Sequence, residues 1–231
     1  MTRTEAVLFD LDDTLVRYER SPGEVLLAAF EAVGCDPLFS VEEYYARYDE
    51  FAEKCDSMDE LRSECFAALA ESNGYERRRG RAVAAAFSEE RDQTRVELLP
   101  SVGDVLGEVS SEYRTAIVTN GARGAQHQKI DAVGLDRWVD EIVVAGHDVP
   151  PKPDPEPFER AIRTLGVTPE STVHVGDSPE TDVAGASAAG LDSVLVAEGS
   201  EAVEPSPTYR IESIAALRSL PWLEESASGH R

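Results

Sequence analysis

Lysine is almost missing from this 231-residue chain: Lys54, Lys129 and Lys152 are the only three, and arginine supplies the other permanent cations. Positive charge as a whole is scarce, with 22 Lys and Arg against 45 Asp and Glu, a formal net charge of −23. This balance argues against nucleic acid as a partner, because a phosphate backbone is held by basic patches. The acids run along the whole chain and do not collect in a tail, and the apolar segments between them are regular. An ordered domain with a very acidic surface follows. Self-repulsion of this size is screened by salt, so a high-salt cytoplasm is the expected setting. Cysteine is scarce too. Cys35, Cys55 and Cys65 are an odd set without CxxC spacing, which speaks against a disulfide framework and a zinc site and for reduced intracellular thiols. His127, His147, His174 and His230 lack HxxxH or HExxH spacing, and each alone reads as structural or exposed. No apolar run reaches the roughly 18 residues of a membrane span. Asp10 interrupts the N-terminal apolar run, so a secretory signal is not expected. What remains, 42% hydrophobic residues, suffices for one sizeable cytoplasmic domain, or a domain with an insertion.

Five short runs rich in Val and Ile read as strands: "AVLFDLD" (6–12), "TAIVTN" (115–120), "EIVVAG" (141–146), "TVHVGD" (172–177) and "SVLVA" (193–197). None alternates cleanly with polar residues, which suits a parallel sheet covered on both faces. Helical stretches lie around 123–133, 155–165 and 180–189. Gly134, Gly166 and Gly190 follow them, where a left-handed cap is needed. Strand–helix alternation at these spacings predicts a doubly wound α/β sheet. Residues 17–96 break the alternation. They contain no convincing strand, only helix-like runs near 22–33, 41–54, 58–72 and 79–94, with Tyr44, Tyr48 and Phe51 at helical spacing for packing a small bundle. The domain expectation is an α/β core from 1–16 and 97–231, interrupted by a helical subdomain of 17–96. "EGSEAVEPSPTY" (198–209) reads as an irregular loop, and the C-terminal "EESASGHR" as a frayed end.

The stretch "VLFDLDDTLV" (7–16) begins as a buried strand and then places Asp10, Asp12 and Asp13 within four positions. Clustered carboxylates resist ionisation unless something offsets them, and the natural offset is a bound cation. In open α/β sheets ligands sit beyond the carboxyl ends of the strands. There the first strand offers Asp10, Asp12 and Thr14, the second Thr119, Asn120 and Gly121, and the fourth Asp177 and Asp182. Lys152 follows the third in "PPKPDP". Asp10, Asp12 and Asp177 form an oxygen-only set suited to Mg²⁺. Thr119 and Lys152 supply a hydroxyl donor and a positive charge for a phosphate. Each piece alone is commonplace; their joint occurrence at successive strand ends is specific.

In these residues the chain resembles the haloacid dehalogenase-like hydrolase superfamily, whose members are mostly phosphatases. "DLDDTL" is similar to its first motif, "IVTNG" to the second, "PPKPDP" to the third and "GDSPETD" to the fourth. The resemblance covers about 6–197, apart from the insert, whose position resembles that of the family's helical cap. It implies a sheet order of 5-4-1-2-3 for the five strands. It also implies that Asp10 is a nucleophile forming an aspartyl-phosphate and that Asp12 is the general acid and base. Mg²⁺ would be held by the Asp10 and Asp177 side chains and the Asp12 backbone carbonyl, with Asp182 in or near the shell behind them. Thr119 and the amides around Asn120 and Gly121 would hold phosphate oxygens. Lys152 would neutralise charge, Thr14 would orient the loop, and Arg123 is a further phosphate candidate. Asp13 reads as structural. The implied partner is a small phosphorylated metabolite, the implied state a monomer or homodimer. "TNGARGAQHQKIDAVGL" resembles phosphatases of nucleotides and acyl-sugar phosphates more than phosphoglycolate enzymes. The dehalogenase branch lacks the second acid, present here as Asp12. A sugar-phosphate mutase shares all four motifs and stays open as the alternative, as does, more remotely, a non-catalytic phospho-ligand-binding protein.

Overall fold

The computed structural model describes residues 3–52, 54–55, 57–199 and 201–221, so the C-terminal octapeptide expected to fray lies outside the described residues. In chain order the elements are β1 (Ala6–Phe9), β2 (Val16–Tyr18), α1 (Pro22–Val33), α2 (Val41–Ala52), α3 (Met58–Ser72), α4 (Arg77–Glu90), β3 (Val96–Leu98), α5 (Val102–Glu112) and β4 (Arg114–Asn120). Then come α6 (Arg123–Val133), β5 (Glu141–Ala145), α7 (Glu156–Leu165), β6 (Thr172–Gly176), α8 (Ala184–Ala188), β7 (Asp192–Val196) and β8 (Tyr209–Ile211). Two compact units result: residues up to Arg17 together with those from Val96 onward, and Tyr18–Arg95.

The first unit is an α/β layer structure. Its six strands are all parallel, in the order β5-β4-β1-β6-β7-β8. The five strands legible in the sequence thus stand in the order 5-4-1-2-3 read from one edge, and β8 extends that edge. Every residue of β1 is buried, which is why it reads as a continuous apolar run; every residue of β6 is buried too, Thr172 and His174 included. Leu8, Ala116, Val118 and Val143 pack on one face against Phe158, Ala161 and Ile162 of α7. Gly134, Gly166 and Gly190 adopt φ of 63°, 72° and 77°, the left-handed conformation their positions called for.

The extent of several elements differs from the sequence reading. β1 stops at Phe9 and not at Asp12. The chain turns at once, with Asp13 at φ 57° and its N–H donating to Val16 O, and Leu15 N–H donating to Leu11 O. Residues two apart on an extended strand share a sheet face; the turn lets Asp10 and Asp12 part, Asp10 toward Lys152 and Asp12 toward Lys129. β2 and β3 form a second, two-stranded sheet where the chain leaves and re-enters the first unit, so strand structure touches both ends of the 17–96 segment. Tyr209, read as loop, begins β8. The stretch 180–189 is not one α-helix: Pro179–Val183 winds as a π-type turn before α8. Helix α5 carried no expectation.

The second unit consists of α1–α4. Ser21 caps α1, its side chain accepting from Glu24 N–H while the Glu24 carboxylate accepts from Ser21 N–H, with Pro22 in the first turn and Gly34 ending the helix at φ 72°. Phe66 of α3 is the hub: Phe39, Tyr44 and Phe87 meet its ring at centroid distances of 4.8, 5.0 and 5.5 Å, all edge-on. Helices α3 and α4 approach closely because Gly80 has no side chain; a Cβ there would overlap the Phe66 carbonyl. Tyr48 and Phe51 pack against this cluster from α2, as their spacing predicts. No helix among the described residues is long and apolar enough to cross a membrane.

Candidate active site

The carboxyl ends of β1, β4, β5 and β6 lie side by side because their registers align: Phe9 is level with Ile117 and Val175, and Asn120 with Ala145. Asp10 leaves the end of β1 with its N–H bonded to Val175 O at 2.9 Å. Its Oδ1 accepts from Lys152 Nζ at 2.7 Å. Lys152 also donates to Asp182 Oδ1 at 2.6 Å and to Val118 O at 2.9 Å, so all three ammonium protons have acceptors. Lys152 is only 4% exposed. Burial opposes its charged form, but the charges of Asp10 and Asp182 and the bonds to both outweigh this and hold it above the ordinary lysine value. For Asp10 the balance runs the other way. Burial dominates the pull of Lys152, and with Asp182 close by its carboxyl is raised.

Asp182, read as lying at the edge of the site, is buried at its base. Its Oδ1 meets His174 Nε2 at 2.9 Å as well as Lys152, and its Oδ2 accepts from Ser178 N–H at 3.1 Å. Burial opposes its ionisation, yet His174 and Lys152 prevail and hold the carboxyl well below the usual range. Gly176 makes room for this arrangement, since a Cβ there would overlap the Asp182 side chain. Asp177 is the least satisfied of the three acids. Thr14 Oγ1 donates to its Oδ1 over a long 3.3 Å. Burial, followed by the charges of Asp10 and Asp182, pushes its carboxyl up to about 7.

Asp10, Asp177 and Asp182 each present a carboxylate oxygen, and these oxygens lie within 4.8 Å of one another. Three acids share one lysine, and the excess negative charge appears as the raised carboxyls of Asp10 and Asp177. An all-oxygen, over-negative cluster of this kind fits a hard divalent cation such as Mg²⁺. Asp182 already has protein partners for both oxygens, so Asp10 and Asp177 are the members with ligating capacity to spare.

Asp12 does not belong to that carboxylate cluster; its side chain turns toward α6. Lys129 Nζ donates to both of its oxygens at 2.7 and 2.8 Å, and Gln126 Nε2 to Oδ2 at 2.9 Å. Gln126 Nε2 also reaches Thr119 Oγ1 at 2.7 Å, which ties Asp12 to Thr119. The side-chain amide of Asn120 is spent on the backbone of Lys152, donating to its carbonyl at 3.0 Å and accepting its N–H at 2.7 Å. Gly121 N–H donates to Ala145 O at 2.9 Å. Arg123 pairs with Asp148 at 3.2 Å on the surface. Of the residues following the first motif, Arg17 pairs with Glu97, Tyr18 donates to Gln93 and Arg20 pairs with Glu90.

Sequence reasoning passed over Lys129, Gln126 and His174. The sequence carries no signal for the first two: only in the fold does α6 bury Gln126, Lys129 and Ile130, so that two of three residues on its inward face are polar where apolar ones would ordinarily pack. His174 sits inside a strand whose other residues are all buried, and its spacing to the other histidines gives no signal either.

A family model described as haloacid dehalogenase-like hydrolase matches residues 4–190. N-acylneuraminate-9-phosphatase of Rattus norvegicus is 30% identical over 244 residues, covering 95% of this chain and 94% of that protein. Glyceraldehyde 3-phosphate phosphatase of Methanopyrus kandleri is 30% identical over 202 residues, 84% of each chain. Among solved structures, the hydrolase YfnB of Bacillus subtilis, crystallised with bound magnesium, superposes with a TM-score of 0.76 at 24% identity, covering 94% of this chain and 98% of that one; this likeness speaks to the fold. With a family match across most of its length, and a relative of this identity over nearly all of it, the chain belongs to the haloacid dehalogenase-like hydrolases.

Proposed function

We propose that this hydrolase is a Mg²⁺-dependent phosphatase that cleaves a small phosphate monoester through an aspartyl-phosphate on Asp10. The observation that carries the reading is the buried Asp10–Lys152–Asp182 network beside Asp177, with Asp12 two residues along the same loop. Lys152 holds one Asp10 oxygen in place, and attack on phosphorus falls to the carboxylate as the bond to the leaving oxygen breaks. Asp12, in its protonated form, gives its proton to that departing oxygen. In the second half Asp12 takes a proton from water as the water attacks phosphorus, the oxygen–phosphorus bond of the acyl phosphate on Asp10 breaks, and the carboxylate is restored. Lys152 counters the charge of the transferring phosphoryl group, and Thr119 offers its hydroxyl proton, otherwise spent only on a 3.4 Å contact with Asn120 O. Mg²⁺, held by Asp10, Asp177 and the Asp12 carbonyl, would polarise the phosphate and offset the surplus acidity of the cluster. The helical unit, inserted directly after the first motif, is proposed to govern substrate choice.

The phosphatase names of the relatives favour a small phosphorylated metabolite, a sugar phosphate foremost. A panel of sugar phosphates, nucleoside monophosphates and phosphorylated acids, assayed with Mg²⁺ and molar KCl, tests this. Inorganic phosphate should appear one for one with ester consumed. An isomerised sugar phosphate formed without phosphate release would identify a mutase instead.

Metal binding has a separate expected signature. Asp177 ionises near 7 in the fold against 3.8 for an ordinary aspartate. A carboxyl raised on folding contributes stability that is complete below the unfolded value and lost as pH climbs through the folded one. The metal-free protein should therefore lose stability from this group between about pH 4 and 7. Mg²⁺ binds the ionised form, so the melting temperature gained from it should be small at pH 5 and about 5 °C or more at pH 8 with the ion roughly a hundredfold above its Kd. Asp177→Asn should flatten both responses. Equal gains at pH 5 and pH 8 would remove Asp177 from the metal site.

A further inference from the structure

Beyond the four motifs, α6 makes a set of buried polar contacts to the first-motif loop. Gln126 and Lys129 stand three residues apart and project from one face of the helix. They are 2% and 4% exposed, although burying a lysine without purpose is costly. Both meet the carboxylate of Asp12, whose side chain keeps 35% of its surface open while that of Lys129 keeps 5%. The carboxylate is thus gripped from behind and accessible in front. The loop is shaped around this grip: Gly121 has φ 139°, and a Cβ there would crowd Gln126 Cδ at 3.3 Å and Nε2 at 3.4 Å. Gln126 Nε2 further spans Thr119 Oγ1 and Asn120 O, at 2.7 and 2.9 Å.

We propose that Lys129 and Gln126 are positioning residues that fix the Asp12 carboxylate for proton transfer and hold it in register with Thr119. The proposal rests on the reading of Asp12 as the general acid and base. Asp12 lies on a turning loop, where its side chain would otherwise sample several rotamers, and proton transfer demands a donor within about 3.2 Å of the leaving oxygen. Two donors from a rigid helix restrict it to one orientation. Lysine suits the role because a compact ammonium can serve both carboxylate oxygens from one point, as the 2.7 and 2.8 Å contacts record. An ion pair that merely fastened α6 to the loop would affect all substrates alike. A positioning pair should matter most when the leaving group needs its proton.

The test compares kcat/KM for an alkyl phosphate with that for p-nitrophenyl phosphate, whose leaving group needs little protonation. The enzymes are the full-length wild type, Lys129→Met, Lys129→Arg, Gln126→Leu, Asp12→Asn and the Asp12→Asn/Lys129→Met double variant, all with Mg²⁺. Lys129→Met should lower kcat/KM about 10²-fold for the alkyl ester and about tenfold less for the aryl ester. Lys129→Arg should recover part of the loss. In the Asp12→Asn background Lys129→Met should add almost nothing, because its action runs through Asp12. If Lys129→Met does not fold, Gln126→Leu and Lys129→Arg should show the same bias toward the alkyl ester. Equal losses for both esters, or losses that simply multiply in the double variant, would overturn the inference while leaving the role of Asp12 intact. If Asp12→Asn itself shows no leaving-group bias, the acid/base reading falls and this inference with it.

Discussion

Asparagine in place of Asp10 is expected to lower turnover by roughly 10⁴-fold or more, on the scale seen when a covalent nucleophile is removed. The protein should stay folded. The amide oxygen of Asn can still accept from Lys152, which keeps its ion pair with Asp182 at 2.6 Å. The substitution also removes a like charge from a crowded place. Burial already raises the Asp10 carboxyl, and Asp10 is the foremost charge raising Asp177. Melting should therefore shift by no more than a few degrees, in keeping with a site strained by its own acids, and the Asp177 carboxyl should titrate lower than about 7. Activity assays, thermal melts and carboxyl titration by NMR read these three effects separately. A pure Asp10→Asn sample within tenfold of the wild type would sink the covalent mechanism.

Lys152→Met should damage both activity and stability. Its ammonium is the common partner of Asp10, Asp182 and the Val118 carbonyl, and it is 4% exposed. Removing one member of a buried charge network leaves the others uncompensated, at a cost of about 3–5 kcal/mol. In a chain of this length that is roughly 6–15 °C of melting temperature. Turnover should fall by roughly 10²–10³-fold or more, as for the loss of a principal charge stabiliser. The pH dependence carries a definite sign. In the wild type the Asp182 carboxyl is held well below its ordinary value, largely by His174 and Lys152 against the cost of burial. Such a group contributes stability above the unfolded value, near pH 4, and loses it as pH falls further. The deficit of Lys152→Met should therefore be largest at neutral pH and shrink near pH 4, where the orphaned acids can take up protons. Melts of both proteins at pH 4.5 and pH 8 would show it. A deficit that does not change with pH would mean that Lys152 acts through packing and not through charge.

The strands β1, β4, β5, β6 and β7 were legible because a doubly covered parallel sheet needs unbroken apolar runs, and Val, Ile and Ala supply them. The three-residue strands β2, β3 and β8 are too short to carry any period. The site divides in the same way. Asp10, Lys152, Asp177 and Asp182 could be read because each follows a strand end, and strand ends of an open sheet converge. The bond by which Gly121 N–H continues the pairing to β5 through Ala145 O leaves no mark in the sequence around it. The partners of Asp12 come from one face of a helix, and a lone Lys or Gln on a helix ordinarily reads as solvated. Only packing against the first-motif loop reveals Gln126 and Lys129 as buried donors.

The covalent step can be observed directly by trapping. Asp12→Ala mixed with p-nitrophenyl phosphate and Mg²⁺, then quenched in acid, should accumulate a phospho-enzyme, because the aryl group leaves without a proton but water lacks its base. Borohydride reduction should convert the acyl phosphate to homoserine, and peptide mass spectrometry should find that change at residue 10 and nowhere else. A quenched protein that carries no phosphate, or carries it on any residue other than Asp10, would contradict the mechanism.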